Sequence, residues 1–153
     1  MSMKYFDSEM FCMGTNITQR VYGENGEEVS LEVQREMRRL EKLMNFYKTS
    51  SEVSLINEVG FEREVKLSQE VFEVIKSAKY FSERTYGAFD VTLAPVIKMW
   101  GIFTESPRVP SNKEILKALQ CVGYSNLILD DNKRTIRFMK ENMKIDLGGI
   151  AKG

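Results

Sequence analysis

Histidine is absent from the 153 residues, which removes the commonest general base and the commonest metal-binding side chain. Any chemistry must therefore use carboxylates, lysine, tyrosine, hydroxyls or the backbone. Net charge is absent as well: 22 basic residues balance 22 acidic ones, with no Lys/Arg block and no interleaving of arginine with aromatics. No nucleic-acid partner is expected. Cysteine is scarce. Cys12 and Cys121 form neither a CxxC nor a metal-type spacing, and each has apolar neighbours, so both are expected to be buried thiols. The N-terminal Met-Ser-Met-Lys-Tyr-Phe-Asp has no apolar signal core, and no later run is long and apolar enough to span a bilayer. The sequence as it stands reads as soluble and untargeted, hence cytoplasmic, with a periplasmic or membrane-anchored parent left open.

What is present reads as alternating strands and helices. Tyr5 to Met13 and Thr15 to Tyr22 are two extended segments joined at Gly14, the second with Ile17, Gln19 and Val21 in a two-residue period. After the turn Glu24-Asn25-Gly26, an amphipathic helix from about Val29 carries Val33, Met37, Leu40, Leu43 and Met44. Phe46-Tyr47 and the polar run that follows lead into Val53 to Asn57, expected as a loop laid across a surface. Val59 to Leu67 suggests a short extended excursion, and Ser68 is a good N-cap for the next helix. Ser111 and Glu114 form a capping box for a later helix, which Gly123 is expected to close. A hairpin flanks Asp-Asp-Asn-Lys-Arg, with strands at Leu127–Leu129 and Thr135–Met139, and a third strand is expected over Met143–Leu147.

The stretch Thr85 to Trp100 stands out. A helix with Phe72, Ile75, Ala78 and Phe81 on one face should end near Tyr86, where Gly87 can supply a positive φ. Asp90 and Thr92 then sit where side-chain oxygens can cap a fresh helix, with Pro95 in or near its first turn. Such a corner serves many proteins as a cap and nothing more; it also suits a flat polar ligand. The ending, Lys144 to Gly153, reads as a strand feeding Gly148-Gly149 and the first residues of a helix. A double glycine after a strand lets backbone N–H groups approach phosphate, although Gly-Gly also serves simple tight turns. A helix is begun and not completed, so residues 1–153 are expected to be the N-terminal part of a longer protein.

In order, Met13-Gly14-Thr15, Tyr47 with Ser51 to Asn57, Thr85-Tyr-Gly-Ala-Phe-Asp-Val-Thr with Pro95 and Trp100-Gly101, and Asp146-Leu-Gly-Gly-Ile-Ala-Lys-Gly153 resemble the FAD:protein FMN transferase (ApbE) family. The resemblance covers essentially the whole sequence and the first half of the family. It implies an α+β, T-fold-like architecture in which an antiparallel sheet packs with helices. It implies FAD as substrate, Mg²⁺, and transfer of FMN as a phosphoester to a threonine of a target flavoprotein subunit, with release of AMP. Members have also been labelled thiamine biosynthesis lipoproteins. By resemblance, Met13, Tyr47, Ala88, Phe89, Asp90, Asp146 and Lys152 would contact FAD, and the Gly149 carbonyl would be a magnesium ligand. Asn57 and Trp100 match family blocks without an assigned role.

The bland readings stand beside these. Met13 and Tyr47 also fit ordinary core packing, Asp90 and Asp146 also fit helix capping, and Lys152 also fits a solvated lysine. No catalytic base can be named. A hydrolase that splits FAD into FMN and AMP, and a non-catalytic flavin-binding module, are the rival functions. An unfinished sheet would leave an edge, so self-association is expected.

Overall fold

The computed structural model describes residues 4–101, 104 and 106–151. Strands β1 (Tyr5–Cys12) and β2 (Thr15–Tyr22) form the expected antiparallel hairpin, in register from Tyr5 opposite Tyr22 to Cys12 opposite Thr15. The alternating pattern turns Met10 and Cys12 inward and leaves Phe11 71% exposed. Helix α1 (Gly26–Met44) lies against the inner face and begins earlier than the apolar pattern indicated. Gly26 explains the early start, since a Cβ there would lie 2.8 Å from Phe6 Cβ and 3.2 Å from the Val21 carbonyl oxygen. Only a residue without a side chain lets the helix enter so close to the hairpin.

Helix α2 (Glu52–Val59) replaces the surface loop expected over Val53–Asn57. Ser51 caps it, its hydroxyl accepting the Ser54 N–H at 2.9 Å, and Val53 and Ile56 are both buried. The polar run before it is a cap region, and a short apolar segment has too few residues to show its period. Strand β3 (Val65–Lys66) is the expected excursion, confined to two residues. Helix α3 (Gln69–Arg84) starts at the predicted Ser68 cap and buries Phe72, Ile75 and Ala78. Phe81, expected on that face, is instead 50% exposed and borders a shallow hollow with Phe89, Gly149 and Ile150.

A 3-10 turn at Val91–Leu93 leads into α4 (Ala94–Trp100), with Pro95 in its first turn as expected. Helix α5 (Asn112–Leu119) carries the Ser111–Glu114 capping box. Gly123 does not close it. Gln120 is the C-cap, the Cys121 and Val122 amides turn back on Ala118 and Leu119, and Gly123 opens a separate 3-10 turn, Tyr124–Asn126. Cys121 is accordingly only half-buried, whereas Cys12 is buried as expected.

Strands β4 (Leu127–Asp130) and β5 (Thr135–Phe138) complete a second antiparallel sheet in the order β3-β5-β4. The strand expected at Met143–Leu147 has the right alternation, with Met143, Ile145 and Leu147 buried, but joins neither sheet. Its backbone is paired elsewhere: Asn57 Oδ1 accepts the Ile145 N–H at 2.7 Å, Asn57 Nδ2 donates to the Ile145 carbonyl at 2.9 Å, and the Asp146 N–H reaches the Val91 carbonyl at 3.0 Å. A single amide side chain thus substitutes for a neighbouring strand. The core gathers α2, α3, the β3-β5-β4 sheet and this segment around Ile56, Phe72, Ile75, Ile136, Phe138 and Ile145. The architecture is α+β, with antiparallel sheets and packed helices. Among the described residues, no helix is long and apolar enough to cross a membrane.

Candidate functional site

Three separated segments meet at a cavity of about 260 Å³. The first is the hairpin tip, Met13-Gly14. Both residues have positive φ, 52° and 72°, as a two-residue type I′ turn requires. The Met13 N–H donates to Glu41 Oε1 at 2.8 Å, which fixes the tip against α1.

The second segment is the end of α1 and the chain beyond it, contributing Glu41, Met44, Asn45, Phe46 and Tyr47. Asn45 stops the helix and folds the exit, its Oδ1 accepting the N–H groups of Tyr47 at 2.8 Å and Lys48 at 3.0 Å. Phe46 and Tyr47 pack edge to face, ring centroids 5.0 Å apart. Partial burial pushes the Tyr47 phenol above its ordinary pKa, and the Asp146 carboxylate pushes it further the same way. Tyr47 stays a neutral hydrogen-bonding phenol at physiological pH.

The third segment is the turn from Asp146 to Ala151. Asp146 Oδ1 accepts the Gly148 N–H at 2.8 Å, and the Leu147 carbonyl accepts from Ile150 and Ala151 at 3.0 and 2.8 Å. The expected glycine turn and the first helical bonds after it are therefore present up to Ala151. Asp146, Leu147, Gly148 and Ala151 line the cavity, while Gly149 faces the shallow hollow, where a Cβ on it would meet Phe89 Cε2 at 3.3 Å.

Met13, Tyr47 and Asp146 are thus brought together, and Phe89 and Gly149 sit together across the same turn. Ala88 and Asp90 line neither hollow. Asp90 takes its capping alternative: Oδ1 accepts the Thr92 N–H at 2.8 Å and the Thr92 hydroxyl at 2.6 Å, and Oδ2 accepts the Tyr124 N–H at 3.0 Å. The Thr92 hydroxyl oxygen in turn accepts the Gly123 N–H at 2.8 Å, so the corner is stitched to the chain before β4. Lys152 lies outside the described residues.

The cavity's lining is mostly apolar, with two carboxylates among its polar groups. Met13, Met44, Phe46, Leu147 and Ala151 form a greasy body; Glu41 and Asp146 bring carboxylates, Tyr47 a phenol and Asn45 an amide, and no described lysine or arginine lines it. Its volume falls just under the roughly 300–1,000 Å³ of pockets for drug-sized ligands, so it fits one ring system. Two carboxylates beside an apolar floor are chemically better suited to N–H or O–H donors than to a phosphate.

Residues 13–153 match the ApbE family profile. The chain belongs to the ApbE family. It is 30% identical over 141 residues to the FAD:protein FMN transferase of Klebsiella pneumoniae strain 342, covering 92% of this chain and 44% of that one. The ApbE protein of Thermotoga maritima superposes with a TM-score of 0.91 at 34% identity, over 98% of this chain and 49% of that structure. The flavin transferase ApbE of Vibrio cholerae has the same fold, with a TM-score of 0.87 at 24% identity. The chain spans about half the length of the relatives it matches.

Sequence reasoning missed Glu41, Met44 and Phe46. A glutamate within an amphipathic helix reads as solvated, and Met44 and Phe46 read as core. One signal was available for Glu41: a methionine at the first position of a two-residue hairpin loop, where asparagine, aspartate or glycine is usual, calls for an outside partner. Asn57, noted only for its place in a family block, is what holds the third segment against α2.

Proposed function

We propose that the chain is the N-terminal half of a flavin transferase domain, and that the whole protein transfers the FMN moiety of FAD to a threonine hydroxyl of a target flavoprotein, releasing AMP. The observation that carries this reading is the convergence of Met13, Tyr47 and Asp146 on one ring-sized cavity, with Phe89 and Gly149 across the same glycine turn. The names of the relatives, FAD:protein FMN transferases, support it. So does the share of those relatives that the chain spans.

In this reading the cavity holds the flavin ring. Met13, Met44 and Phe46 cover its faces, and Asp146 and the Tyr47 phenol accept or donate at its polar edge. The diphosphate leaves the acidic cavity along the exposed glycine turn, where a backbone without side chains allows close approach. Lys152, next after Ala151, is the cation suited to neutralise charge on the transferring phosphoryl. Ala88 and Asp90 shape the wall behind Phe89 through the backbone of the corner.

Magnesium suits this chemistry, because the ion prefers hard oxygen donors and neutralises charge on phosphates. This chain would contribute the carbonyl of Gly149, an exposed residue of the turn; among the described residues no group of three or more His, Cys, Asp or Glu gathers to hold a metal. In the transfer, the threonine oxygen forms a bond to the FMN-side phosphorus as the pyrophosphate P–O bond breaks. AMP departs with the bridging oxygen, and the hydroxyl proton passes to a base other than these groups.

The test has two arms. Titrating the 153-residue chain with FAD, followed by flavin fluorescence, should show saturable binding that Tyr47→Ala and Asp146→Ala each weaken about tenfold, the effect of losing about 1.4 kcal/mol. The full-length protein, given FAD, Mg²⁺ and a threonine-bearing target, should yield a target band that stays fluorescent after denaturation. Free FMN without labelled target would favour hydrolysis, and binding with no turnover would favour a carrier module.

A further inference from the structure

Met13 is an unfavourable residue for the place it occupies. At φ 52° it sits in the left-handed region, where a long side chain crowds the backbone, and the two-residue turn it shares with Gly14 is one that asparagine would form at less cost. Gly14 has open space around it and needs no help. The unfavourable conformation at Met13 is held from outside, by the charge-assisted hydrogen bond from its N–H to Glu41 Oε1 at 2.8 Å. Burial, and after it the charge of the same Glu41 carboxylate, raise the pKa of the buried Cys12 thiol, so Glu41 acts on two consecutive residues at the end of β1. Glu41 is only half-buried and lines the cavity beside Met13.

We propose that Glu41 is a positioning residue that clamps the hairpin tip in its left-handed turn and so presets Met13 as a wall of the ligand cavity. This rests on the flavin reading of that cavity. The grip explains why an acidic side chain sits over an otherwise greasy floor, and why the tip carries methionine: the turn serves to present the side chain over the cavity. Glu41 acts through Met13 and need not touch the reacting atoms. Preorganisation of this kind shows as tighter ligand binding, because the ordering of the tip is completed before the ligand arrives.

Amide hydrogen exchange of the full chain reads the clamp without any ligand. The Met13 N–H should be protected in the unaltered chain, exposed in Glu41→Ala, and protected again in Glu41→Gln, whose amide oxygen still accepts. FAD titration then reads its consequence: Glu41→Ala should raise the Kd about tenfold and Glu41→Gln by no more than about threefold. Met13→Asn guards against simple misfolding. It should keep the turn, and raise rather than lower Tm, yet bind FAD several-fold more weakly because the side chain is gone. Rapid exchange of Met13 N–H in the unaltered chain overturns the clamp, as does a Glu41→Ala protein that binds FAD as tightly as the original. A Glu41→Ala loss that merely follows a fall in Tm, with Met13→Asn binding unchanged, also overturns it. Failure of the unaltered chain to bind FAD at all counts against the flavin reading itself, and the exchange data separate the two.

Discussion

The two halves of this molecule are held together by different forces. The body built from α2, α3 and the β3-β5-β4 sheet encloses fifteen buried apolar residues. The hairpin on α1 buries little beyond Met10 and Cys12, and α1 itself buries only Gly26 and Ser30. In place of a dry core, a polar knot joins them: the Ser8 and Ser30 hydroxyls lie 2.7 Å apart, and Gln19 Nε2 donates to Ser8 Oγ and to the Ser30 carbonyl at 2.9 and 3.0 Å. The knot sets register, because a one-residue slip would turn Gln19 and Ser8 outward. The far end of α1, at Leu43 and Met44, packs on the body, and the cavity lies at this seam. The hairpin-tip wall and the α1 residues Glu41 and Met44 therefore come from the looser unit, and the Asp146–Ala151 wall from the firm one.

The largest effect should come from the firm side. Ile56→Ala removes a fully buried side chain from the centre of the body and should cost about 2–5 kcal/mol in chemical denaturation. If it cost no more than a substitution in the hairpin, the contrast between the halves would be lost. Asn57→Ala, one residue along, should cost roughly 2–3 kcal/mol by leaving the Ile145 N–H and carbonyl without their partner. Because Ile145 leads directly into Asp146, this variant should, on the flavin reading proposed above, also lose flavin affinity more than Ile56→Ala does at equal stability. Equal losses of affinity would mean that Asn57 serves the core alone.

These two residues also mark how far the sequence could be read. Features set by neighbours in the chain were legible: the hairpin at Gly14, the Ser68 cap, the Ser111–Glu114 box and the turn at Gly87 all depend on residues a few positions apart. Helix α2 and the segment Met143–Leu147 were misread, because each is decided by the other. Asn57 and Ile145 are 88 residues apart, and no local pattern reveals that an amide side chain will take a strand's place. The candidate site divides in the same way. Met13, Tyr47 and Asp146 carried a family resemblance that local chemistry alone could not supply, while Glu41 became visible only once the hairpin tip was seen to rest on α1. Asp90 was legible as a cap from its spacing, and its carboxylate is engaged there on both oxygens.

A smaller effect should come from the looser side. Gln19→Ala removes the donor at the centre of the polar knot and should cost about 1 kcal/mol. Its signature is local: amides of β1 and β2 should exchange faster while those of β4 and β5 keep their protection. Uniform acceleration across both sheets would show that hairpin and body open as one unit, and the comparison would have to be abandoned.

Acid should produce the smallest change, again on the hairpin. Asp7 and Arg20 pair across the strands through two hydrogen bonds, each 2.7 Å, with the Arg20 guanidinium 4.2 Å from the centre of the Tyr5 ring. The hydrogen bond from Arg20 holds the Asp7 carboxyl below its ordinary pKa, and the guanidinium charge adds to this. A carboxyl whose folded pKa is depressed contributes stability above its unfolded value, near 4, and loses that contribution as pH falls through the folded value. Both side chains are half-exposed, so solvent and salt screen the pair and its contribution is slight. Below about pH 4, the outer ends of β1 and β2 should therefore loosen before the body does, whose fifteen core residues include no carboxylate. Arg20→Gln should return the Asp7 titration, followed by carboxyl NMR shifts, to the usual range and abolish the early loosening. If the hairpin of that variant still opens first in acid, the looser half is weak for want of buried surface alone, and the surface pair adds nothing to it.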